Sequence, residues 1–389
     1  MAPDPAQSET FSHNVGVCRL VYNLALEQRR DHHRQFRASK GVGISFLSQS
    51  RELTQLRAEF DWMREAIHCC QQQALRDLDR AFQNFFKGLA AYPTPRKKGV
   101  NDSICFQGRD IIIRRLNRSW GAVRLPKVGE VRFRWTRDIV GDIRNATVCL
   151  DPLGWHISFS AEVEIATVEN DLPGVGIDRG IVKALAYSDG TFGAFPTERL
   201  KHIDRIARRH ARALSLKKIG SRRRIAAKRR LAAIKAKAAR VRKHFNHVET
   251  ARLAKSFGII CIEDLKTKNL TGSAKGTIAD PGVKVRQKAG LNRSILEIGW
   301  FQFEQFLTYK VTASGGEVRK VNPAYTSATC SCCGVIEKTN RKSQAVYECA
   351  DCGSVMNADT NAAINILQAG TRPSWDRVAD PRQSQLEAA

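Results

Sequence analysis

Two Cys-x2-Cys pairs stand fifteen residues apart late in the chain, Cys330 with Cys333 and Cys349 with Cys352, and Gly334 and Gly353 follow them directly. Zinc takes four thiolates in a tetrahedron, and two short loops giving two each can supply them. A glycine after each pair lets the backbone turn back with positive φ, so that its N–H groups face the sulfurs. Cys332 adds a fifth thiol, but only Cys333 keeps the x2 spacing and the following glycine. Seven residues beyond the last of these cysteines, Asp359 opens a short apolar helix ending near Leu367. Two further acids sit at strand-like positions, Asp178 in the run from residue 175 and Glu263 at the end of residues 258–265. Three carboxylates in one cleft repel one another unless cations hold them. Two Mg2+ ions about 4 Å apart would do so and would serve phosphodiester chemistry. Singly, each acid has a plainer role: Asp359 an N-cap, Glu263 a solvated strand end, Asp178 a turn former before Gly180.

Whether the acids can meet depends on the elements between them. Apolar runs on both sides of Asp189-Gly190 predict a hairpin, and residues 175–195 read as three antiparallel strands with Asp178 on the first. Residues 199–245 read as a helical hairpin divided at Gly220-Ser221, a stop followed by a cap. A buried strand at 258–265, a basic loop at 269–286, a long helix at 294–312 and a strand at 317–321 lead into the cysteine element. A sheet whose first and fourth strands are neighbours would bring Asp178 and Glu263 into one cleft, with Asp359 at the start of the last helix.

Upstream the texture differs. Apolar positions recur at three- and four-residue steps over residues 11–38 and 47–89 and predict helices. The cluster of Phe82, Phe85 and Phe86 fits a helical core better than a base-stacking platform. After the break at residues 92–99, short β-prone runs at 111–113, 131–135, 147–150 and 155–159 predict a small antiparallel sheet or barrel. Arg132 and Arg134 share one strand face there, as either a nucleic-acid surface or a solvated one.

The 389 residues suffice for two or three domains, and 42% hydrophobic content rules out a disordered chain. A net charge of +26 calls for a polyanion, for which nucleic acid is the commonest candidate. Residues 199–245 carry 19 Lys or Arg and one acid, Asp204. Self-repulsion disfavours such helices unless phosphates lie against them. Candidate nucleic-acid contacts are Arg96, Lys97, Lys98, Arg222, Arg223, Arg224, Lys228, Arg229 and Arg230. No long apolar span argues for a membrane, and the first ten residues carry no secretory pattern. The seven remaining cysteines are scattered, which suits free thiols in a reducing cytoplasm. Oligomeric state is left open.

GIDRG at 176–180, IEDL at 262–265, NPAYTSATCSCCG at 322–334 and DTNAAINIL at 359–367 together resemble the transposon-encoded TnpB family, considered ancestral to the type V CRISPR effectors. KAGLNRSILEIGWFQFEQFL at 288–307 and YPTPRKKG at 92–99 extend the likeness over nearly the whole chain. The resemblance implies an α+β multidomain protein with an RNase H-like RuvC nuclease domain and a four-Cys zinc-ribbon insertion. An N-terminal helical lobe and a β-barrel wedge domain complete it. The implied division is a recognition lobe at 1–91, a wedge at 92–170, RuvC at 171–322, the zinc ribbon at 323–357, the last RuvC helix at 358–370 and a disordered tail at 371–389. It implies cleavage of double-stranded DNA directed by a guide RNA from the transposon end, next to a short transposon-adjacent motif. Asp178, Glu263 and Asp359 then bind two catalytic Mg2+ ions, and Cys330, Cys333, Cys349 and Cys352 bind one structural Zn2+. Asn357-Ala358 departs from the Asp-Arg common in the family, Ala328 stands where Gln is common, and the chain begins almost at the turn that usually follows a first strand. An RNA-guided DNA-binding regulator without cleavage, and a transposase acting directly on DNA ends, are the competing functions.

Overall fold

The computed structural model describes residues 1–35, 43–164 and 170–372. The chain divides into two compact units, residues 1–164 and 165–389. Of the disordered tail expected at 371–389, Thr371 ends a helix and the residues after Arg372 lie outside the described ones.

In the first unit, α1 (Pro5–Gln35), α2 (Phe46–Glu59), α3 (Asp61–Glu65) and α4 (His68–Phe86) form the helical part. The helical pattern at 47–89 thus breaks into three pieces. Phe60 and Ile67 take extended backbone at the junctions, and the half-buried Arg57 donates to the carbonyls of Met63 and Ala66. Phe82 is in the core as expected, whereas Phe86 is 77% exposed. Of the scattered cysteines, Cys18, Cys70 and Cys105 line one cavity of about 260 Å³, and all eleven are reduced thiols. Burial pushes the Cys18 thiol up to about 12, which makes it inert at neutral pH.

Six strands follow: β1 (Ser103–Gln107), β2 (Ile112–Arg115), β3 (Trp120–Leu125), β4 (Gly129–Arg134), β5 (Asp142–Asp151) and β6 (Gly154–Glu162). They pair as two antiparallel sheets, in orders β1-β5-β6 and β2-β3-β4. No strand pairing joins the two among the described residues, so the expected barrel is not closed. The β2 edge carries Arg114 and Arg115, charges that discourage further strand addition.

The second unit contains β7 (Gly174–Asp178), β8 (Ala186–Tyr187), α5 (Thr197–Ser215), α6 (Arg222–Ser256), β9 (Ile259–Glu263), α7 (Thr267–Leu270), α8 (Val285–Ile298), α9 (Trp300–Ala313), β10 (Glu317–Val321), β11 (Val346–Glu348), β12 (Val355–Asn357) and α10 (Ala358–Thr371). Its main sheet has the order β10-β9-β7-β8, with β7, β9 and β10 parallel and β8 antiparallel. The expected three-stranded hairpin is shorter: β8 has two residues, and the third strand is reduced to the bridge between Ala186 and Phe192. Gly299, at φ +78°, divides the single helix expected at 294–312 into α8 and α9. The basic loop at 269–286 keeps an irregular middle, but α7 overlaps its start and α8 its end.

Helix α10 lies directly on β7 and β9. A Cβ on Gly176 would stand 2.0 Å from the Ala363 carbonyl oxygen, and one on Gly370 2.3 Å from the Cys261 sulfur. Only glycine permits that approach, which explains the first residue of GIDRG. Gly176→Ala should therefore push α10 off the sheet. We expect a loss of about 2–3 kcal/mol, read as a melting transition lowered by roughly 5–10 °C.

Candidate metal centre and acidic cluster

The zinc element is built as its spacing predicts. Gly334 and Gly353 have φ of +79° and +71°, and each N–H returns to the carbonyl of the first cysteine of its pair. Backbone N–H groups of Cys352 and Asp351 face the Cys349 sulfur and hold its thiol down to about 7. The four sulfurs lie within 4.8 Å of one another, with Cys330 and Cys352 3.7 Å apart and Cys333 and Cys349 3.6 Å apart. Zinc–sulfur bonds of about 2.3 Å give a tetrahedral edge of about 3.8 Å, so the donor set fits zinc as it stands. Cys332 is exposed and outside the cluster.

Parallel register brings two of the acids together. Ile177 on β7 pairs with Ile262 on β9, so Asp178 and Glu263 follow side by side at the C-terminal ends of adjacent strands. Glu263 is 8% exposed, not a solvated strand end. Thr326 donates its hydroxyl to Glu263 Oε1 at 2.8 Å. The turn Asn322-Pro323-Ala324-Tyr325 delivers that threonine: the Asn322 side chain accepts the Ala324 N–H, and Tyr325 takes φ +63°.

Asp359 is at the start of α10, as expected, but it is not the cap. Asn357 accepts the N–H groups of Asp359 and Thr360, at 3.0 and 3.2 Å, which leaves the Asp359 carboxylate available. Ala358 is fully buried against Cys330, Tyr347 and Cys349, where a long side chain would not fit. The two residues that depart from the family pattern thus cap the helix and pack under the zinc element.

Charge ties the three acids together. Burial first, then the charges of Glu263 and Asp359, push the Asp178 carboxyl up to about 7, with Arg341 opposing. Burial also raises Glu263, against the Thr326 hydroxyl, and Asp359, against Arg341. Among the described residues only the four cysteines gather as a ready-made group of metal ligands, and the acids do not close to that degree.

Several supporting residues carried no assignment in the sequence. Arg179 is wholly buried; it donates to the Glu263 carbonyl oxygen and to Glu304, at 3.2 Å, and Lys320 meets Glu304 at 2.5 Å. Arg341 donates to Asp359 Oδ1 at 3.2 Å. Its neighbour Asn340 is buried, donates to the Cys349 sulfur at 3.6 Å and accepts the Ala350 N–H. The zinc loop thus hands a guanidinium to the acid. Asn361 and Asn365, one turn apart on α10, donate to the Thr329 carbonyl, and Asn365 also to that of Thr326. The motif letters around Asp178, Thr326 and Asp359 were the available signal for Arg179 and the two asparagines.

The nine candidate nucleic-acid contacts divide. Lys97, Lys98, Arg222, Arg223, Lys228, Arg229 and Arg230 are exposed. Arg96 instead pairs with Asp77 at 2.8 Å and stacks on Tyr22, and Arg224 donates to the carbonyls of Leu214 and Lys217. Those two act inside the fold.

Two measurements test the site. Zinc content by mass spectrometry should be one per chain for the parent and for Cys332→Ser, and close to zero for Cys333→Ser. For Asp178, the folded carboxyl holds its proton more tightly than the unfolded one, ordinarily near 3.8. Its contribution to stability is therefore complete below pH about 4 and is lost as pH rises through about 7. Asp178→Asn should gain stability relative to the parent between pH 5 and 8 in magnesium-free buffer, and Mg2+ should narrow the gap. Melting curves of both proteins across that range give the answer; a gap independent of pH contradicts it.

Residues 156–274 match a family described as "Probable transposase", residues 300–366 the "Cas12f1-like, TNB domain", and residues 1–38 a "Helix-turn-helix domain". The last name falls on α1, which is one unbroken helix from Pro5 to Gln35. The chain is 37% identical to "Putative RNA-guided DNA endonuclease InsQ" of Escherichia coli (strain K12), over 92% of this chain and 87% of that one. It is 30% identical to "Putative RNA-guided DNA endonuclease" of Streptomyces pristinaespiralis, over 98% of this chain and 91% of that one. A solved Cas12f1–sgRNA–target DNA complex is similar in fold, with a TM-score of 0.60 at 15% identity over 93% of this chain and 83% of that one. With whole-length similarity to curated relatives and a sheet that carries the GIDRG and IEDL acids on adjacent strands, the chain belongs to the TnpB family of RuvC-fold proteins.

Proposed function

We propose that this protein is an RNA-guided DNA endonuclease that cleaves double-stranded DNA next to a short transposon-adjacent motif. The observation that carries the reading is Asp178 and Glu263 side by side at the ends of adjacent strands, with the Asp359 charge felt at Asp178, in a chain 37% identical, over most of its length, to a protein named for that activity. In it, base pairing with a guide RNA reads the target, while the protein reads a flanking duplex and the heteroduplex shape. Residues 1–91 serve as the recognition lobe, 92–170 as the wedge, 171–322 with 358–370 as the nuclease domain, and 323–357 as the zinc ribbon.

Hard carboxylate oxygens fit Mg2+, and the mutual repulsion that raises Asp178 is what bound cations would relieve. Two such ions, when bound, activate water and stabilise the leaving oxygen of a phosphodiester. The chain's own residues set the stage for this. Thr326 fixes the Glu263 carboxylate by its hydroxyl, and Arg179 fixes the backbone of the same residue. Asn357 caps α10 and so frees Asp359. Arg341, held by the zinc loop, neutralises Asp359, and its guanidinium would be available to a phosphate were that acid held by a cation instead.

The family description "Probable transposase" favours, as a second reading, direct action on DNA ends. Copurification separates the two. Expressed with its flanking locus, the protein should carry a discrete RNA, and a reprogrammed guide should redirect cutting to a chosen DNA. Asp178→Ala should reduce Mg2+-dependent cutting by about a thousandfold or more while RNA binding is retained. Absence of a discrete RNA would sink the guided reading in favour of the transposase; equal cutting by the variant would remove Asp178 from the chemistry. A regulator that binds without cleaving would retain the RNA and show no cutting in the parent protein.

A further inference from the structure

The arm made by α5 and α6 changes character along its length. At its base, α5 buries Leu200, Ile203 and Ala207, and the far half of α6 buries Asn246, Glu249, Thr250, Leu253 and Ala254. Beyond Ala207, α5 runs on for roughly 12 Å of helix with no buried residue, and the facing part of α6 buries only Ala227. At the apex, Leu216 and Ile219 leave 88% and 84% of their surface in water.

The turn that carries them is stitched from within. Arg224 donates to the carbonyls of Leu214 and Lys217, at 3.1 and 2.8 Å. The Ser221 hydroxyl donates to the Lys218 carbonyl at 2.8 Å and accepts the Arg224 N–H at 3.2 Å, while Gly220 reverses the chain at φ +82°. Lys218, Arg222 and Arg223 are exposed around it. One exposed aliphatic residue needs no explanation. Two of them at the apex of an ordered turn, ringed by cations on the most basic element of the chain, are a different matter. The cations suit phosphates, and large aliphatic side chains are the kind that nucleic-acid-binding proteins insert between base steps. A membrane surface also attracts cations with apolar groups, but it selects a continuous apolar helix face, and residues 222–230 read RRRIAAKRR.

We propose that the α5–α6 arm is a wedge for duplex nucleic acid: Lys218, Arg222 and Arg223 engage phosphates while Leu216 and Ile219 enter between adjacent base pairs and unstack one step. The duplex is DNA, whose base steps such aliphatic side chains unstack and kink. The inference rests on the nucleic-acid binding in the function proposed above, and is independent of hydrolysis at the acids.

The test uses the full chain with a short DNA duplex and an RNA duplex of the same sequence, each carrying 2-aminopurine at the adenines of one strand. Stacking quenches 2-aminopurine, so insertion raises its fluorescence. At saturation the parent should raise it about twofold or more on the DNA duplex, and a rise confined to the RNA duplex overturns the assignment to DNA. Leu216→Ser combined with Ile219→Ser should lose the rise and bind with an affinity within about threefold and an unchanged salt slope. Because both side chains are exposed, its melting temperature should equal that of the parent. Lys218→Gln with Arg222→Gln should do the reverse, weakening binding and flattening the salt slope while keeping the rise at saturation. A rise that survives in the double-Ser variant, or saturated binding without any rise, overturns the wedge. Failure of the parent to bind either duplex would instead overturn the nucleic-acid reading beneath it.

Discussion

Neighbouring parallel strands are about 4.8 Å apart, and that spacing sets the electrostatic problem around which the second unit is built. With β7 and β9 in register, Asp178 and Glu263 leave adjacent strand ends level with each other. Two carboxylates at that distance repel by roughly 3 kcal/mol at an effective dielectric near 20. A third acid, Asp359, enters the same field from the start of α10. Three kinds of counter-charge can relieve it. A proton can stay on Asp178, whose carboxyl is pushed up to about 7. Arg341 can pair with Asp359, as it does here. A divalent cation can replace both. The cluster is therefore poised between charge states near neutral pH.

Holding the acids close enough to repel needs rigid support, and α10 supplies much of it. The helix approaches the sheet so closely that Gly176 and Gly370 must lack side chains. Its first turn is capped by Asn357, so the orphan N–H groups draw on a neutral amide and not on Asp359. Its Asn361 and Asn365 grip the loop from Thr326 to Thr329, and Thr326 holds Glu263. The same loop runs into Cys330. On the other side of the knuckle, Asn340 touches Cys349 and is followed by Arg341 on Asp359. Zinc, if bound, would fix both approaches to the acids at once.

The parts legible in the sequence are those whose chemistry is written in local spacing. Cys-x2-Cys with a following glycine yields the knuckle, and a buried apolar run ending in an acid yields Glu263 at a strand end. The remainder depends on choices that sequence does not make. Asn357 and Asp359 are both good caps, and only the extended backbone of Asn357, at φ −65° and ψ 132°, decides between them. Gly299 is compatible with continuing a helix at about 1 kcal/mol, so its left-handed turn is not visible in the apolar pattern. Arg179 reads as a surface cation until the fold buries it against a carbonyl from a strand 84 residues away. Strand runs in the first unit are readable, but whether they close depends on pairing between distant edges, and two separate sheets result.

Net charge is the most visible feature of the sequence, yet it overstates the surface open to a polyanion. Arg19, Arg29 and Arg96 neutralise acids of the first unit, and Arg57, Arg179 and Arg224 satisfy backbone carbonyls. Cations of this kind belong to the fold and would destabilise it if removed. The arm is different in kind. Across residues 199–245 the sole acid, Asp204, pairs with Arg208 at 2.6 Å, and no other carboxylate is available within the segment for the remaining cations. Surface pairs are worth little in any case, so the arm's stability cannot come from them. Helices that repel themselves along their length gain by phosphate neutralisation and lose it as salt rises. The useful number is therefore not the total of +26 but the excess concentrated on one element, whose own sequence supplies one acid against 19 cations.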